Sequence, residues 1–188
     1  RFVRKLHERT AARPPQWGCF ALHEWAMVYR LPAEQVRHHG LGLRLTPEAT
    51  DAVVEANPLR CSHFDAFRFF TEPARPLNLL QPTRADQLDL DQPGCLHAGM
   101  DLFKWAMKLA PGIPSELVAD CLELAFALRR LDMRASPYDV ARLGLEPIPV
   151  ETPEGKAAYV TEQREYAARA ADLRARLTLA CERLLPGA

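Results

Sequence analysis

Four ionisable residues between positions 95 and 109 have the spacing of one helix face. His97, Asp101, Lys104 and Lys108 follow one another at intervals that place them along a single stripe of an α-helix. The other residues of this segment are almost all apolar, and a helix that is apolar around its circumference is normally buried. Buried charges are costly unless they pair, bind a metal or contact a ligand, so the stripe is a candidate functional site. The alternative is a solvated face that the two lysines mark and that His97 and Asp101 continue.

Two other apolar segments also contain a histidine next to a carboxylate. His23 and Glu24 lie in one of them, and His63 and Asp65 lie in the other among four phenylalanines, where Arg68 can pair with Asp65. One histidine on an apolar face is usually a core residue bonded to a backbone carbonyl. Three such sets add desolvation cost without adding core. We therefore predict that at least two of the three sets converge on one site.

Two kinds of chemistry fit these residue types. Imidazole and carboxylate groups suit a divalent metal ion such as Fe, Mn or Zn, and His97 and Asp101, one helical turn apart, form a natural chelating pair. The candidate metal ligands are His23, Glu24, His63, His97 and Asp101. Without a metal, a neutral histidine and an ionised aspartate can act as general base and orienting partner. The candidate catalytic residues are His97, Asp101, His63 and Asp65. The HExxH motif of zinc proteases is absent, so the metal prediction depends on residue type and spacing alone.

Cationic side chains near these sets are candidates for binding an anionic part of a substrate or cofactor. Lys104 and Arg68 accompany two of the sets, and Arg134 lies with Ser136 between the end of one predicted helix and the start of the next. Because backbone N–H groups point outward at a helix N-terminus, the position of Arg134 and Ser136 favours the binding of a phosphate or a carboxylate. The alternative is simple helix capping, with a surface contact between Asp132 and Arg134.

Composition predicts one globular domain in a reducing compartment. The chain has 188 residues, of which 48% are hydrophobic and 26% charged, as in ordinary soluble domains. Lys+Arg and Asp+Glu both number 24, so no net charge attracts the chain to nucleic acid or to a membrane surface. The apolar runs are too short to cross a bilayer. Five scattered cysteines without a CxxC pair favour a cytoplasmic protein. The charged N-terminus lacks an initiator Met and reads as a helix entered midway, so we expect a chain truncated at this end.

Helix start signals predict an all-α fold. Thr46 and Thr152 are each followed by proline, the pattern of an N-cap before the first helical position. The residues from 153 onward have apolar side chains at helical spacing, which predicts a long amphipathic C-terminal helix. Three prolines between 71 and 92 predict a long loop, and such loops are often functional. No stretch has the alternation of a β-strand and no domain boundary is visible, so we predict a single compact helical domain over residues 1–188.

Six segments together suggest a family relationship. They are GCFALHEWAMVYR (18–30), HFDAFRFF (63–70), QPTR (81–84), QPGCLH (92–97), MDLFKW (100–105) and LDMRASPYD (131–139). In these segments, which span nearly the whole chain, the sequence resembles a bacterial protein family commonly labelled 3-methyladenine DNA glycosylase. The resemblance implies excision of alkylated purines from duplex DNA, in which aromatic side chains stack on a flipped base. Asp65 or Asp101 would then stabilise the developing oxocarbenium ion.

Three classes of function follow from these features. The leading interpretation is a soluble enzyme with a buried His/carboxylate centre that depends on a metal and acts on a small anionic molecule. The alternative is a DNA-repair glycosylase that releases alkylated purine bases, with duplex DNA as its partner. The second alternative is a non-catalytic binding module whose polar sets are buried structural pairs. The neutral net charge favours the first class over the second, because a glycosylase must grip DNA phosphates.

Overall fold

The computed structural model describes residues 1–38 and 40–185, and the statements below concern these residues. The α-helices are α1 (Phe2–Ala11), α2 (Leu22–Ala26), α3 (Pro47–Glu55), α4 (Phe64–Phe67), α5 (Gln87–Leu90), α6 (Leu96–Leu109), α7 (Ser115–Ala135) and α8 (Pro153–Arg183). Short 3₁₀ segments occur at Ala33–Gln35, Arg75–Leu77 and Val140–Leu143. Within the described residues, β-pairing is limited to isolated bridges, Leu43 with Tyr138 and Leu59 with Asn78. The all-α prediction is confirmed.

Two of the helices begin at the predicted caps. The Thr46 hydroxyl accepts a hydrogen bond from the Ala49 backbone N–H at 3.3 Å, and the Thr152 hydroxyl accepts one from the Gly155 N–H at 3.0 Å. Each threonine satisfies a backbone donor that the first turn of a helix leaves without a partner. Capping therefore fixes the start of α3 and of the 31-residue helix α8.

Helices α6, α7 and α8 pack against one another and form much of the core. A Cβ added at Gly99 of α6 would lie 2.7 Å from a side-chain carbon of Leu128 on α7. The missing side chain at Gly99 thus permits the close approach of the two helices. Asp132 follows Leu128 by one helical turn, so this packing brings the N-terminal part of α6 beside the C-terminal part of α7.

Helix α6 is less buried than its apolar sequence predicts. Leu102 and Ala106 are fully buried, but Met107 is 52% exposed and Lys108 is exposed. The reason is that α6 packs against α7 and α8, while the part of its surface that carries Met107 and Lys108 remains exposed. The Lys108 ammonium lies 5.1 Å from the centre of the Trp105 ring, so the solvated-face alternative is correct for this lysine.

The predicted loop and the predicted C-terminal helix are both present, and each has features that were not predicted from the sequence. The Pro-rich stretch contains the 3₁₀ segment Arg75–Leu77 and the single turn α5, which packs against α1. The buried side of α8 includes two polar residues, Gln163 and Arg174, each 1% exposed. None of the described helices has the length and apolar character needed to cross a lipid bilayer.

Candidate metal centre

Helix α2 holds His23 rigidly inside the protein. All of its residues are buried, and the Trp25 indole N–H donates a hydrogen bond to the Ala135 carbonyl at the end of α7, at 2.9 Å. The two residues that precede the helix, Phe20 and Ala21, have φ values of 47° and 56°. This left-handed conformation is unfavourable for residues with a Cβ and often occurs near functional sites. The anchored, strained turn fixes His23 beside α7.

His23, His97 and Asp132 meet where α2, α6 and α7 come together. The Nε2 atom of His23 lies 2.9 Å from Oδ1 of Asp132, and the rings of His23 and His97 are 4.6 Å apart between centroids. One ligand atom from each of the three residues lies within 4.8 Å of the other two. Ligand atoms about 2.1 Å from one tetrahedral metal ion are about 3.4 Å apart. The group is therefore geometrically compatible with a metal ion.

Two atoms of this group are buried and, among the described residues, lack a well-aligned hydrogen-bond partner. They are Nε2 of His23 and Oδ1 of Asp132. The two atoms are 2.9 Å apart and attract each other as an ion pair, although the ring N–H is not aimed well at the oxygen. Buried polar atoms in folded proteins nearly always have a partner. A cation coordinated by both atoms, off the line that joins them, would satisfy both of them.

The electrostatics of the group are those of a tightly coupled histidine–aspartate pair. Burial alone would lower the pKa of His23, but the Asp132 carboxylate outweighs burial and raises it well above its usual value. Burial would raise the pKa of Asp132, but His23 outweighs that effect and lowers it. Burial, together with the charge of His23, lowers the pKa of His97 to about 3. At neutral pH, His97 is thus an uncharged imidazole, the form that binds a metal, whereas the raised pKa of His23 keeps it protonated, so a metal would have to displace that proton.

Neighbouring side chains orient the candidate ligands. Arg129 donates hydrogen bonds from Nη1 to Oδ2 of Asp132 at 3.0 Å and to Oε1 of Glu24 at 2.9 Å. The Cys19 sulfur lies 3.4 Å from Nδ1 of His23. Arg129 contacts Oδ2 of Asp132 and Cys19 contacts Nδ1 of His23. These are the two atoms that do not face each other in the His23–Asp132 pair. Such contacts typically orient metal ligands.

A second histidine–aspartate pair lies next to this group. Nε2 of His63 is 3.3 Å from Oδ2 of Asp101, and the rings of His63 and His97 are 5.4 Å apart. The same Asp101 oxygen accepts a hydrogen bond from Lys104. Burial would raise the pKa of Asp101, but the hydrogen bond and charge of His63 lower it. The predicted convergence of at least two histidines is confirmed, with His97 between His23 and His63.

The predicted residues play different parts from those expected. The structure pairs Asp101 with His63 and Lys104 rather than placing it in the three-residue group with His97. Glu24 is also outside that group and pairs with Arg129. Burial and the nearby Asp132 raise the pKa of Glu24.

The candidate cationic residues also lie in two different places. Arg68 and Lys104 both lie within 3.4 Å of the Asp65 carboxylate. The guanidinium of Arg134 instead pairs with Glu162 at 2.8 Å and donates to the Glu146 carbonyl, so the structure does not bring it to the site. The surface contact considered between Asp132 and Arg134 is wrong, because Asp132 is fully buried.

A cleft of about 420 Å³ opens beside His97. Its carboxylates are Glu24, Asp65 and Asp101, and its cationic side chains are Arg37, Arg68, Lys104 and Arg129. A smaller chamber of about 100 Å³ adjoins it and shares four wall residues with it, namely Glu24, His38, Arg129 and Tyr138. His97 is thus the member of the candidate metal group that lines a charged cleft large enough for a small molecule, while His23 and Asp132 lie buried behind it.

Sequence reasoning missed Asp132 and Arg37. Asp132 lies in the motif LDMRASPYD, where its spacing from Arg129 fits an ordinary helix-surface pair. The signal available was that α7 carries apolar residues at positions 124, 128 and 131, a stripe to which position 132 also belongs.

No family model matches the chain, and no curated protein or solved structure is significantly similar to it.

Proposed function

We propose that the protein is a metal-dependent enzyme that acts on a small anionic molecule. His23, His97 and Asp132 hold a divalent ion, Fe, Mn or Zn, and the adjoining cleft admits the substrate. Two imidazoles and one carboxylate suit these metals. Three protein ligands also leave coordination positions for water or substrate, as in catalytic sites.

The observation that carries this proposal is the convergence of three ligand atoms, one each from His23, His97 and Asp132, within 4.8 Å of one another. Nε2 of His23 and Oδ1 of Asp132 are buried and 2.9 Å apart, in an ion pair whose ring N–H is poorly aligned with the oxygen. A divalent ion that the three residues share would replace this contact with metal–ligand bonds.

The protein groups around the ion have separable roles. A bound ion supplies a Lewis acid and lowers the pKa of a coordinated water. His63 is buried next to His97 and held by Asp101, which lines the cleft, so the pair exchanges protons with the cleft through the Asp101 carboxylate. Asp65 positions Arg68 and Lys104, and these cations draw the anionic substrate into the cleft.

The test is the metal content of protein purified without a His-tag. We expect about one ion per chain in the wild type and less than a tenth of that in Asp132→Asn and His97→Ala. Asp120→Asn is a matched control, because Asp120 lies on the same helix in a half-exposed ion pair with Arg176. Wild-type protein that emerges without metal and does not take up Fe, Mn or Zn would refute the proposal.

The His63–Asp101 pair also favours a second proposal, a metal-free enzyme. A histidine oriented by an aspartate is a general base in its own right. The two proposals differ in their response to a chelator. Turnover of small esters or phosphates that is lost on chelation and restored by Mn or Zn supports the metal centre. Turnover that is insensitive to chelation but lost in His63→Gln supports the metal-free base.

A further inference from the structure

We infer that the cleft binds an organic phosphate monoester with a short apolar group. The phosphate contacts Arg37 and Arg68, and the apolar group enters the smaller chamber. This inference rests on the proposed function, since it identifies the class of substrate that reaches the metal group.

The first support is a pair of arginines that flank one aromatic ring. The guanidinium carbons of Arg37 and Arg68 lie 4.7 Å and 4.5 Å from the centre of the Phe69 ring. Both arginines and Phe69 line the cleft. Stacking on an aromatic face holds a guanidinium in place and leaves its N–H edge available for an anion. Among the described residues, Arg37 forms no ion pair with a carboxylate.

The second support is the balance of charge in the cleft. Four cationic side chains and three carboxylates line it, which leaves one net positive charge. A divalent ion bound together with the Asp132 carboxylate adds one more. A phosphate monoester carries about −1.5 to −2 at neutral pH, which matches this surplus. A carboxylate carries only −1 and would leave the cleft positively charged.

The third support is the character of the smaller chamber. Leu41, Met133 and Val140 form its apolar wall, and the rings of His38 and Tyr138 stand 5.2 Å apart where it joins the cleft. Its volume of about 100 Å³ is smaller than the ~150 Å³ cavity that holds one benzene molecule. The chamber therefore fits a short aliphatic chain next to the phosphate.

The experiment compares ligands by titration calorimetry on protein loaded with Mn or Zn. The probes are butyl phosphate, inorganic phosphate and valerate, a carboxylate of similar length to butyl phosphate. We expect butyl phosphate to bind at least ten times more tightly than either of the others. Butyl phosphate should bind more tightly than inorganic phosphate because its butyl group becomes buried. It should bind more tightly than valerate because it carries a second negative charge.

Three variants test the two parts of the site. Arg37→Gln and Arg68→Gln should each weaken butyl phosphate by about tenfold or more, because each removes charged hydrogen bonds. Leu41→Trp fills the chamber and should remove the advantage of butyl phosphate without changing the affinity for inorganic phosphate. Arg164→Gln is the matched control, because Arg164 also stacks on an aromatic ring, that of Trp17, at 5.3 Å, but does not line the cleft. Thermal melting confirms that each variant is folded.

Measuring the metal in the same samples separates this inference from the proposed function. Stoichiometric metal with no phosphate binding, or with unchanged binding in Arg37→Gln and Arg68→Gln, would overturn the inference alone. Valerate that binds as tightly as butyl phosphate would also overturn it. Butyl phosphate binding that depends on Arg37 in protein that takes up no metal would support the phosphate site and overturn the proposed metal centre.

Discussion

Replacing Asp132 by Asn should destabilise the protein and abolish the proposed metal binding. The change keeps the side-chain volume but removes a fully buried carboxylate 2.9 Å from Nε2 of His23 and 3.0 Å from Nη1 of Arg129. Breaking one side of a buried ion pair costs about 3–5 kcal/mol. Because His23 can respond by losing its proton, we expect the lower end, about 3 kcal/mol. For a domain of this size, that corresponds to a melting temperature lower by about 6–12 °C.

The assay is denaturation by heat and by urea, on metal-free protein, with metal content measured separately. Asp120→Asn, on the same helix but half-exposed, should change the stability by less than about 1 kcal/mol. In the double variant with His23→Gln, the total cost should be smaller than the sum of the single costs, since the second change finds no pair to break. If Asp132→Asn melts within 2 °C of the wild type and keeps its metal, the buried pair does not have the role assigned to it.

Three further predictions concern pH, packing and DNA. Burial lowers the pKa of His7 to about 4, so between about pH 6.5 and pH 4 the unfolded chain binds a proton that the folded chain does not. Stability should therefore fall as the pH drops through this range, by up to about 3 kcal/mol, and His7→Leu should reduce the fall in urea titrations. Gly99→Ala places a methyl group 2.7 Å from a side-chain carbon of α7, and we expect a loss of about 1–3 kcal/mol and weaker metal binding. Gly40→Ala, where an added Cβ meets nothing within 4 Å, is its control. Finally, we expect weak, salt-sensitive binding to alkylated duplex DNA and no base release that chromatography can detect. Base release that is unaffected by chelators and is lost in Asp65→Asn or Asp101→Asn would instead support a glycosylase.

Much of the fold could be predicted because its signals are local. The caps at Thr46 and Thr152 and the helical spacing of apolar residues depend on neighbours in sequence, and both caps form as expected. The exposure of Met107 could not be predicted in this way. It depends on which neighbouring helices cover α6, and sequence spacing does not specify them.

The histidines of the site could be predicted, but their partners could not. An imidazole in an apolar segment is unusual enough to be noticed in a single sequence, which identified His23, His63 and His97. The carboxylate that meets His23 comes from Asp132, 109 positions later in the chain. Asp101 was assigned to His97 because the two are one helical turn apart, yet it faces His63 instead. Pairing across helices depends on the crossing of the helices, which no local pattern encodes.

Several unfavourable features coincide where α2, α6 and α7 meet. Phe20 and Ala21 are in the left-handed region directly before His23, Gly99 lacks a side chain inside a helix, and Asp132 is a fully buried charge. Each of these features costs stability on its own, and apolar residues in ordinary conformations would form a more stable core. The coincidence of all of them in one place, beside a cleft lined by charged groups, supports the proposed metal centre there.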